Sequence, residues 1–128
     1  MLGADQIARY ARHVLLPDVG GIGQAALLAA CAEIDLADPA GAIAATFLAA
    51  GGVGALVLRG ATEAHRAAIA ARGPDTRLVD GAGDPVELPA RPTWWPAAPR
   101  DDAALAWWRG STAATRWMAA VIAKARAA

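Results

Sequence analysis

Short apolar runs alternate with amphipathic stretches through the middle of the chain, which predicts strands alternating with helices. The predicted strands are residues 31–36, 55–58 and 76–79. The predicted helices between them are residues 39–50 and 62–72. Pro39 suits the first position of a helix and Thr62 suits an N-cap, whereas Glu33 and Asp35 fit poorly on a strand that is buried on both faces. This order predicts an α/β core with parallel strands and right-handed connections.

The segments on either side of this core have weaker patterns. The elements predicted before it are a helix at 5–13, a flexible glycine-rich connection at 20–23 and a helix at 24–30. After the core, repeated prolines and glycines predict a surface loop over residues 80–100. Asp101 and Asp102 are expected to cap a short helix that reaches Trp108, and Ser111 is expected to begin a last helix that ends near Arg126.

The length of 128 residues predicts one domain. Its expected parts are an N-terminal helical arm (1–30), a βαβαβ core (31–79), a Pro/Gly-rich loop (80–102) and C-terminal helices (103–128). Residues 39–58 carry no charge, but their many alanines and glycines favour a helix, a turn and a buried strand over a membrane span. The first residues also lack the pattern of a signal peptide, so we expect a cytoplasmic protein.

Composition narrows the classes of function. Twelve basic and twelve acidic residues give a formal net charge of zero, which indicates neither a nucleic-acid-binding protein nor one that binds an anionic membrane. The single cysteine, Cys31, excludes disulfide bonds and Cys-x-x-Cys zinc sites within the chain, and a buried, inert thiol is expected there. His13 and His65 are separated in the sequence and have no cysteine partners, so we expect no metal site.

Four segments resemble the ThiF/MoeB/HesA family, the ATP-dependent adenylating enzymes that activate ubiquitin-like and sulfur-carrier proteins. These segments are RYARHVLLPDVGGIGQ (9–24), FLAAGGVGALVL (47–58), GPDTRL (73–78) and, more weakly, the stretch from GSTAA to the lysine at 110–124. The resemblance implies a reduced, Rossmann-like ThiF-type fold. It would have about three parallel strands with flanking helices, followed by a Trp/Pro-rich segment and a terminal helix.

The chain departs from this family where the nucleotide phosphates are bound. The three glycine positions of the family's G-x-G-x-x-G turn fall on Leu36, Asp38 and Gly41, so two of the three glycines are absent. Asp38 would place a negative charge near phosphate, and repulsion between unit charges at ~4 Å is about 4 kcal/mol at an effective dielectric constant near 20. The alternative is that Asp38 caps the following helix and Pro39 begins it. The family's acidic pair falls on Gly60 and Thr62, so both carboxylates are also missing.

Arg12 is the one functional residue of the family that this chain retains. It matches the arginine that MoeB-like dimers supply to the ATP of the partner subunit. A planar guanidinium can bind phosphate oxygens through two hydrogen bonds at once, which suits this role. The alternative is that Arg12 pairs with a surface acid, which would contribute less than ~1 kcal/mol.

The sequence therefore predicts a non-catalytic partner or accessory subunit with no cofactor. Its partner would be a second copy, a full-length ThiF/MoeB-like subunit or a small carrier protein ending in Gly-Gly. One alternative is a minimal adenylyltransferase that binds ATP and magnesium through the altered turn and Arg12. A second is a nucleotide-independent module that recognises a protein through its tryptophans.

Five tryptophans lie in the last third of the chain, at positions 94, 95, 107, 108 and 117. Each can bury about 200 Å². We expect Trp107 and Trp117 to fill the core. The sequence leaves open whether the other three pack inside or form a binding surface.

Overall fold

The computed structural model describes residues 1–96 and 102–128 and forms an α/β domain with one small parallel sheet. The helices are α1 (Ala4–Arg9), α2 (Ala11–Val14), α3 (Gly20–Ala29), α4 (Pro39–Ala50), α5 (Glu63–Arg72) and α6 (Asp102–Ala127). The strands are β1 (Cys31–Asp35), β2 (Ala55–Arg59), β3 (Arg77–Leu78) and β4 (Asp84–Pro85). Their order in the sheet is β3-β2-β1-β4, and all pairs are parallel. The α/β class and the alternation of strands and helices in the core are therefore confirmed.

The sheet has four described strands, where about three were expected. The fourth, β4, lies inside the segment predicted as a loop and pairs with β1. The many prolines of this segment limit β4 to two residues. They do not prevent pairing at the edge of the sheet, because there the missing N–H of a proline can face away from the neighbouring strand. The N–H of Val86 extends the pairing by donating to the Glu33 carbonyl at 2.9 Å.

Helices cover one face of the sheet. Side chains on that face join a single core with residues from α3, α4, α5 and α6; the strand residues are Ala32, Ile34, Leu56 and Leu58. Because side chains alternate along a strand, Glu33 and Asp35 lie on the other face. The segment between β3 and β4 crosses that face, since the Gly83 N–H donates to Glu33 and Arg59 donates to the Gly81 carbonyl. Two acids on β1 are thus tolerated because this strand is buried on one side only.

Two glycines allow backbones to approach closely beside β1 and β2. A Cβ at Gly41 of α4 would lie 1.9 Å from the Asp35 carbonyl oxygen, and one at Gly54 would lie 1.8 Å from the Leu28 carbonyl oxygen. Real Cβ contacts do not occur at such distances, so any larger residue would push α4 or α3 away from the sheet.

The N-terminal arm differs from its prediction in two respects. The helix predicted over 5–13 is divided into α1 and α2 at Tyr10, which has a non-helical backbone. The glycines predicted as a flexible connection lie inside α3, which begins at Gly20. Packing explains this, because a Cβ at Gly23 would lie 3.1 Å from the Ile122 side chain of α6. Tertiary contact therefore offsets the low helix propensity of glycine.

The two predicted C-terminal helices form one helix, α6. Ser111 was expected to begin a separate helix, but α6 continues through it, and Gly110 lies where α6 crosses α4. A Cβ there would be 2.5 Å from the Ala40 carbonyl oxygen, so the glycine serves the crossing and the helix continues through it. The expected cap falls on the side chains of Asp101 and Asp102, which lie outside the part of the chain that the structure describes. In the part of the chain that the structure describes, no helix combines the length and apolarity needed to cross a membrane.

Candidate functional site

The turn between β1 and α4 lies at the carboxyl edge of the sheet, where open α/β sheets usually bind their ligands. Leu36 is the first residue of this turn, and its side chain is buried in the core. Its N–H donates to the Arg59 carbonyl at 2.8 Å. The first of the three aligned positions thus holds a core side chain.

Asp38 occupies the place in this turn where an anion would meet the start of α4. Its Oδ1 accepts a hydrogen bond from the Ala40 N–H at 3.0 Å, so Asp38 is the N-cap of α4 and Pro39 is the first helical residue. The capping alternative drawn from the sequence is therefore confirmed. A carboxylate here also interacts favourably with the helix dipole.

Arg109 of α6 completes the Asp38 site. Its Nη1 and Nη2 lie 2.9 Å and 2.6 Å from Oδ1 and Oδ2 of Asp38, in a two-pronged ion pair. The same guanidinium donates from Nε to the Pro89 carbonyl at 2.6 Å. Hydrogen bonds from Arg109, then from the Ala40 N–H, lower the pKa of Asp38 below its ordinary value. The side chains of Asp38 and Arg109 are only 30% and 20% exposed, so the start of α4 holds a charge-neutral pair made by the protein itself.

The remaining aligned positions have structural contacts. Gly41 permits the close approach of α4 to β1 already described. Thr62 caps α5, because its hydroxyl accepts from the His65 N–H at 3.1 Å. The His65 Nδ1 accepts from the Thr62 N–H in return, at 3.3 Å. His65 therefore belongs to a capping box.

Several residues of the N-terminal resemblance join the arm to the domain. Tyr10 is buried and donates from its hydroxyl to Asp75 at 2.7 Å, and Arg9 pairs with the same carboxylate. Burial and the hydrogen bond with Asp75 raise the pKa of Tyr10 to about 12. Hydrogen bonds from Tyr10, then from Arg9, lower the pKa of Asp75. Sequence reasoning missed this cluster, because Asp75 lies 66 residues after Arg9 and 65 after Tyr10.

A second contact of the arm centres on Gln24, the buried polar residue among the described side chains. Gln24 donates to the Gly51 carbonyl at 3.0 Å, and its Oε1 lies 2.9 Å from the His13 Nδ1. Gly52 has a φ of 86°, and a Cβ there would lie 2.5 Å from the Gln24 amide nitrogen. The Gly-Gly turn after α4 is therefore shaped to receive the arm, and the amide of Gln24 has hydrogen-bond partners there, as a buried polar group requires.

Arg12 lies apart from these contacts. Its side chain is exposed, and it makes no ion pair with the residues that the structure describes. Large apolar side chains are exposed in the same arm, since Leu15, Leu16 and Ile22 are 81%, 51% and 66% exposed. Arg12 and the turn at the start of α4 are distinct features of one chain, and no ion pair among the described residues joins them.

The division of the tryptophans between core and surface differs from the prediction. Trp117 is buried in the core, as predicted, whereas Trp107 is 57% exposed and the prediction for it was wrong. Trp107 lies on the outer surface of α6 and packs edge-to-face on Phe47, with ring centroids 5.1 Å apart. The other three tryptophans pack on one another, with centroid distances from 5.8 to 6.2 Å; they are Trp94, Trp95 and Trp108. Trp94 is the exposed member of that group.

Cys31 is half-buried at the start of β1, less enclosed than expected. Within residues 1–96 and 102–128, no group of three or more His, Cys, Asp or Glu side chains is placed to hold a metal ion. The chain matches no protein-family model and no curated protein sequence. Its resemblance to the ThiF/MoeB/HesA family therefore stays a prediction.

Proposed function

We propose that this protein is a non-catalytic partner subunit in the activation of a ubiquitin-like or sulfur-carrier protein. The observation that carries the proposal is the apolar surface of its arm. Seven large hydrophobic side chains are exposed in the described part of the chain, and five of them belong to the first 22 residues: Met1, Ile7, Leu15, Leu16 and Ile22. Such a concentration is typical of a protein–protein contact. Arg12 is exposed within the same segment.

The pair of Asp38 and Arg109 supports a non-catalytic role. Phosphates bind at a helix N-terminus because free N–H groups and the dipole attract negative charge. In this chain the Asp38 carboxylate takes one of those N–H groups, and Arg109 neutralises the carboxylate. A nucleotide phosphate would have to displace Asp38 from both partners.

The first experiment is a calorimetric titration of ATP and magnesium into the full chain. We expect no binding at millimolar nucleotide. Binding at micromolar strength would refute the non-catalytic role and favour the minimal adenylyltransferase, which pyrophosphate exchange with candidate carrier proteins would then test.

The second experiment tests the partner surface. The variant combines Leu15→Ser with Ile22→Ser. We expect it to abolish binding to the partner, which is a second copy, a full-length ThiF/MoeB-like enzyme or a carrier ending in Gly-Gly. Light scattering measures the self-association. Trp94→Ser, which also replaces an exposed apolar side chain but lies outside the arm, is the matched control. Loss of association in the control instead would favour the tryptophan-based module.

The role of Arg12 is tested separately, through pyrophosphate exchange. We expect Arg12→Ala to leave the complex intact and to slow pyrophosphate exchange by the partner enzyme, because an arginine supplied from the other subunit would stabilise charge on its phosphates. Arg66→Ala, on α5, controls for loss of a positive charge. An unchanged exchange rate in Arg12→Ala would contradict this role of Arg12 and leave the partner surface to be judged on association alone.

A further inference from the structure

The outward side of α4 is apolar. The helix carries no charged residue between its first and last positions, and six of its residues face the core. The outward stripe consists of Ala42, Ile43, Thr46, Phe47 and Ala50. The Thr46 hydroxyl already donates to the Ala42 carbonyl at 2.9 Å, so it contributes little polarity. A helix at a protein surface ordinarily presents polar residues on this side.

This stripe forms the floor of a groove between α5 and α6. The groove has a volume of about 330 Å³, and its walls are Trp107 from α6 and Arg72 from the last turn of α5. Trp107 lies edge-to-face on Phe47 and leaves more than half of its surface exposed. The volume falls at the small end of the range for small-molecule sites, which are mostly apolar with a few placed polar groups.

Arg72 decides the chemistry of the ligand. It is the one charged side chain among the described residues that line the groove, and it forms no ion pair with the residues that the structure describes. A guanidinium presents a planar set of donors that matches a carboxylate. An apolar body with a carboxylate at one end would therefore satisfy both parts of the groove.

We propose that this groove binds a small apolar carboxylate, with its alkyl or aryl body against Phe47 and Trp107 and its carboxylate at Arg72. The floor from Ala42 to Ala50 rises by about 12 Å along α4, which suits a medium-length acyl chain or a single aromatic acid. A partner helix would need a longer apolar floor than these two turns. No residue of the arm lines the groove, and neither do Asp38 and Arg109, so the groove stands independently of the proposed partner role.

The test compares octanoate with 1-octanol on the full chain, because the two ligands share an apolar body and differ in charge. Binding is followed through the indole N–H resonance of Trp107, assigned with Trp107→Phe. We expect octanoate to bind and Arg72→Gln to weaken it by about tenfold while leaving 1-octanol unchanged, because only octanoate has a charge-assisted hydrogen bond to lose. Arg66→Gln, on the same helix but outside the groove, should bind both ligands as the natural chain does.

Filling the groove gives a second, independent readout. Ala50 is exposed on the floor, so Ala50→Trp should fold normally and exclude both ligands. Thermal unfolding of each variant shows whether the fold is kept. The proposal is overturned if octanoate leaves the Trp107 resonance unmoved, if Arg72→Gln weakens octanoate and 1-octanol equally, or if Ala50→Trp binds octanoate as before.

Discussion

The ion pair between Asp38 and Arg109 allows a quantitative test of what holds the start of α4. Asp38→Asn keeps a side-chain oxygen that can cap the helix but removes the negative charge, whereas Asp38→Ala removes both. Arg109→Gln removes the opposite charge and its two-pronged geometry. Together these variants separate the cap from the ion pair.

The expected magnitudes follow from the partial burial of the two side chains, 30% and 20% exposed. Hydrogen bonds to charged groups contribute about 1.5–3 kcal/mol when protected from water, and exposed pairs contribute about 0–1 kcal/mol. Asp38→Asn should therefore lower the free energy of unfolding by about 1–2 kcal/mol. Asp38→Ala should lower it by about 2–3 kcal/mol, because loss of the cap adds about 1 kcal/mol.

The measurement is urea unfolding followed by circular dichroism, for the natural chain, each single variant and Asp38→Asn combined with Arg109→Gln. We expect a coupling energy of about 1 kcal/mol or more between the two positions. If the effects of the two single variants add to that of the double variant within about 0.3 kcal/mol, the conclusion that the pair stabilises α4 is refuted. This holds even though both nitrogen–oxygen pairs lie within hydrogen-bond distance.

The coupling should also depend on pH in a defined direction. The pKa of Asp38 is lowered in the folded chain, so its contribution is present above the ordinary aspartate pKa of about 3.9 and is lost as the pH falls through the lowered folded value. The coupling measured near neutral pH should therefore shrink in acid. A coupling that stays constant down to strongly acidic pH would contradict an ionic origin.

Four further predictions concern the arm and the glycines. Tyr10→Phe should lower the free energy of unfolding by about 1 kcal/mol near neutral pH. The natural chain should lose stability as the pH rises from about 10, the ordinary pKa of tyrosine, to about 12, the raised pKa of Tyr10. Urea unfolding across alkaline pH should show this loss in the natural chain but not in Tyr10→Phe. Asp75→Asn should flatten the loss of stability in acid, because the contribution of a carboxylate with a lowered pKa is complete above its ordinary pKa and is lost as the pH falls through the lowered folded value. Gly54→Ala should cost about 3 kcal/mol or more in thermal unfolding, since its Cβ would overlap the Leu28 carbonyl. Gly21→Ala, with no heavy atom within 4 Å of its Cβ, should instead stabilise α3 by about 0.5–1 kcal/mol, and destabilisation there would contradict the helical assignment of this glycine.

The sequence predicted only those parts of the candidate site that depend on neighbouring residues. The cap at Asp38 and the first helical position at Pro39 were predictable because both depend on neighbouring residues in the chain. Arg109, which lies 71 residues from Asp38, gave no signal, because an ion pair between distant positions depends on how α6 crosses α4. The sequence also did not predict the exposed apolar surface of the arm, because leucine and isoleucine, as at Leu15 and Ile22, are the residue types usually found in a core.

The sequence by itself determined the order of strands and helices from β1 to β3. Apolar runs, proline at a helix start and threonine at a cap act over a few residues, so their effects are legible without any partner. Only the tertiary structure decided which face of β1 is open, that β4 pairs at the edge, and that α6 continues through Gly110. These features depend on contacts between distant segments, where close packing and burial offset the local preferences of glycine, proline and the acidic residues.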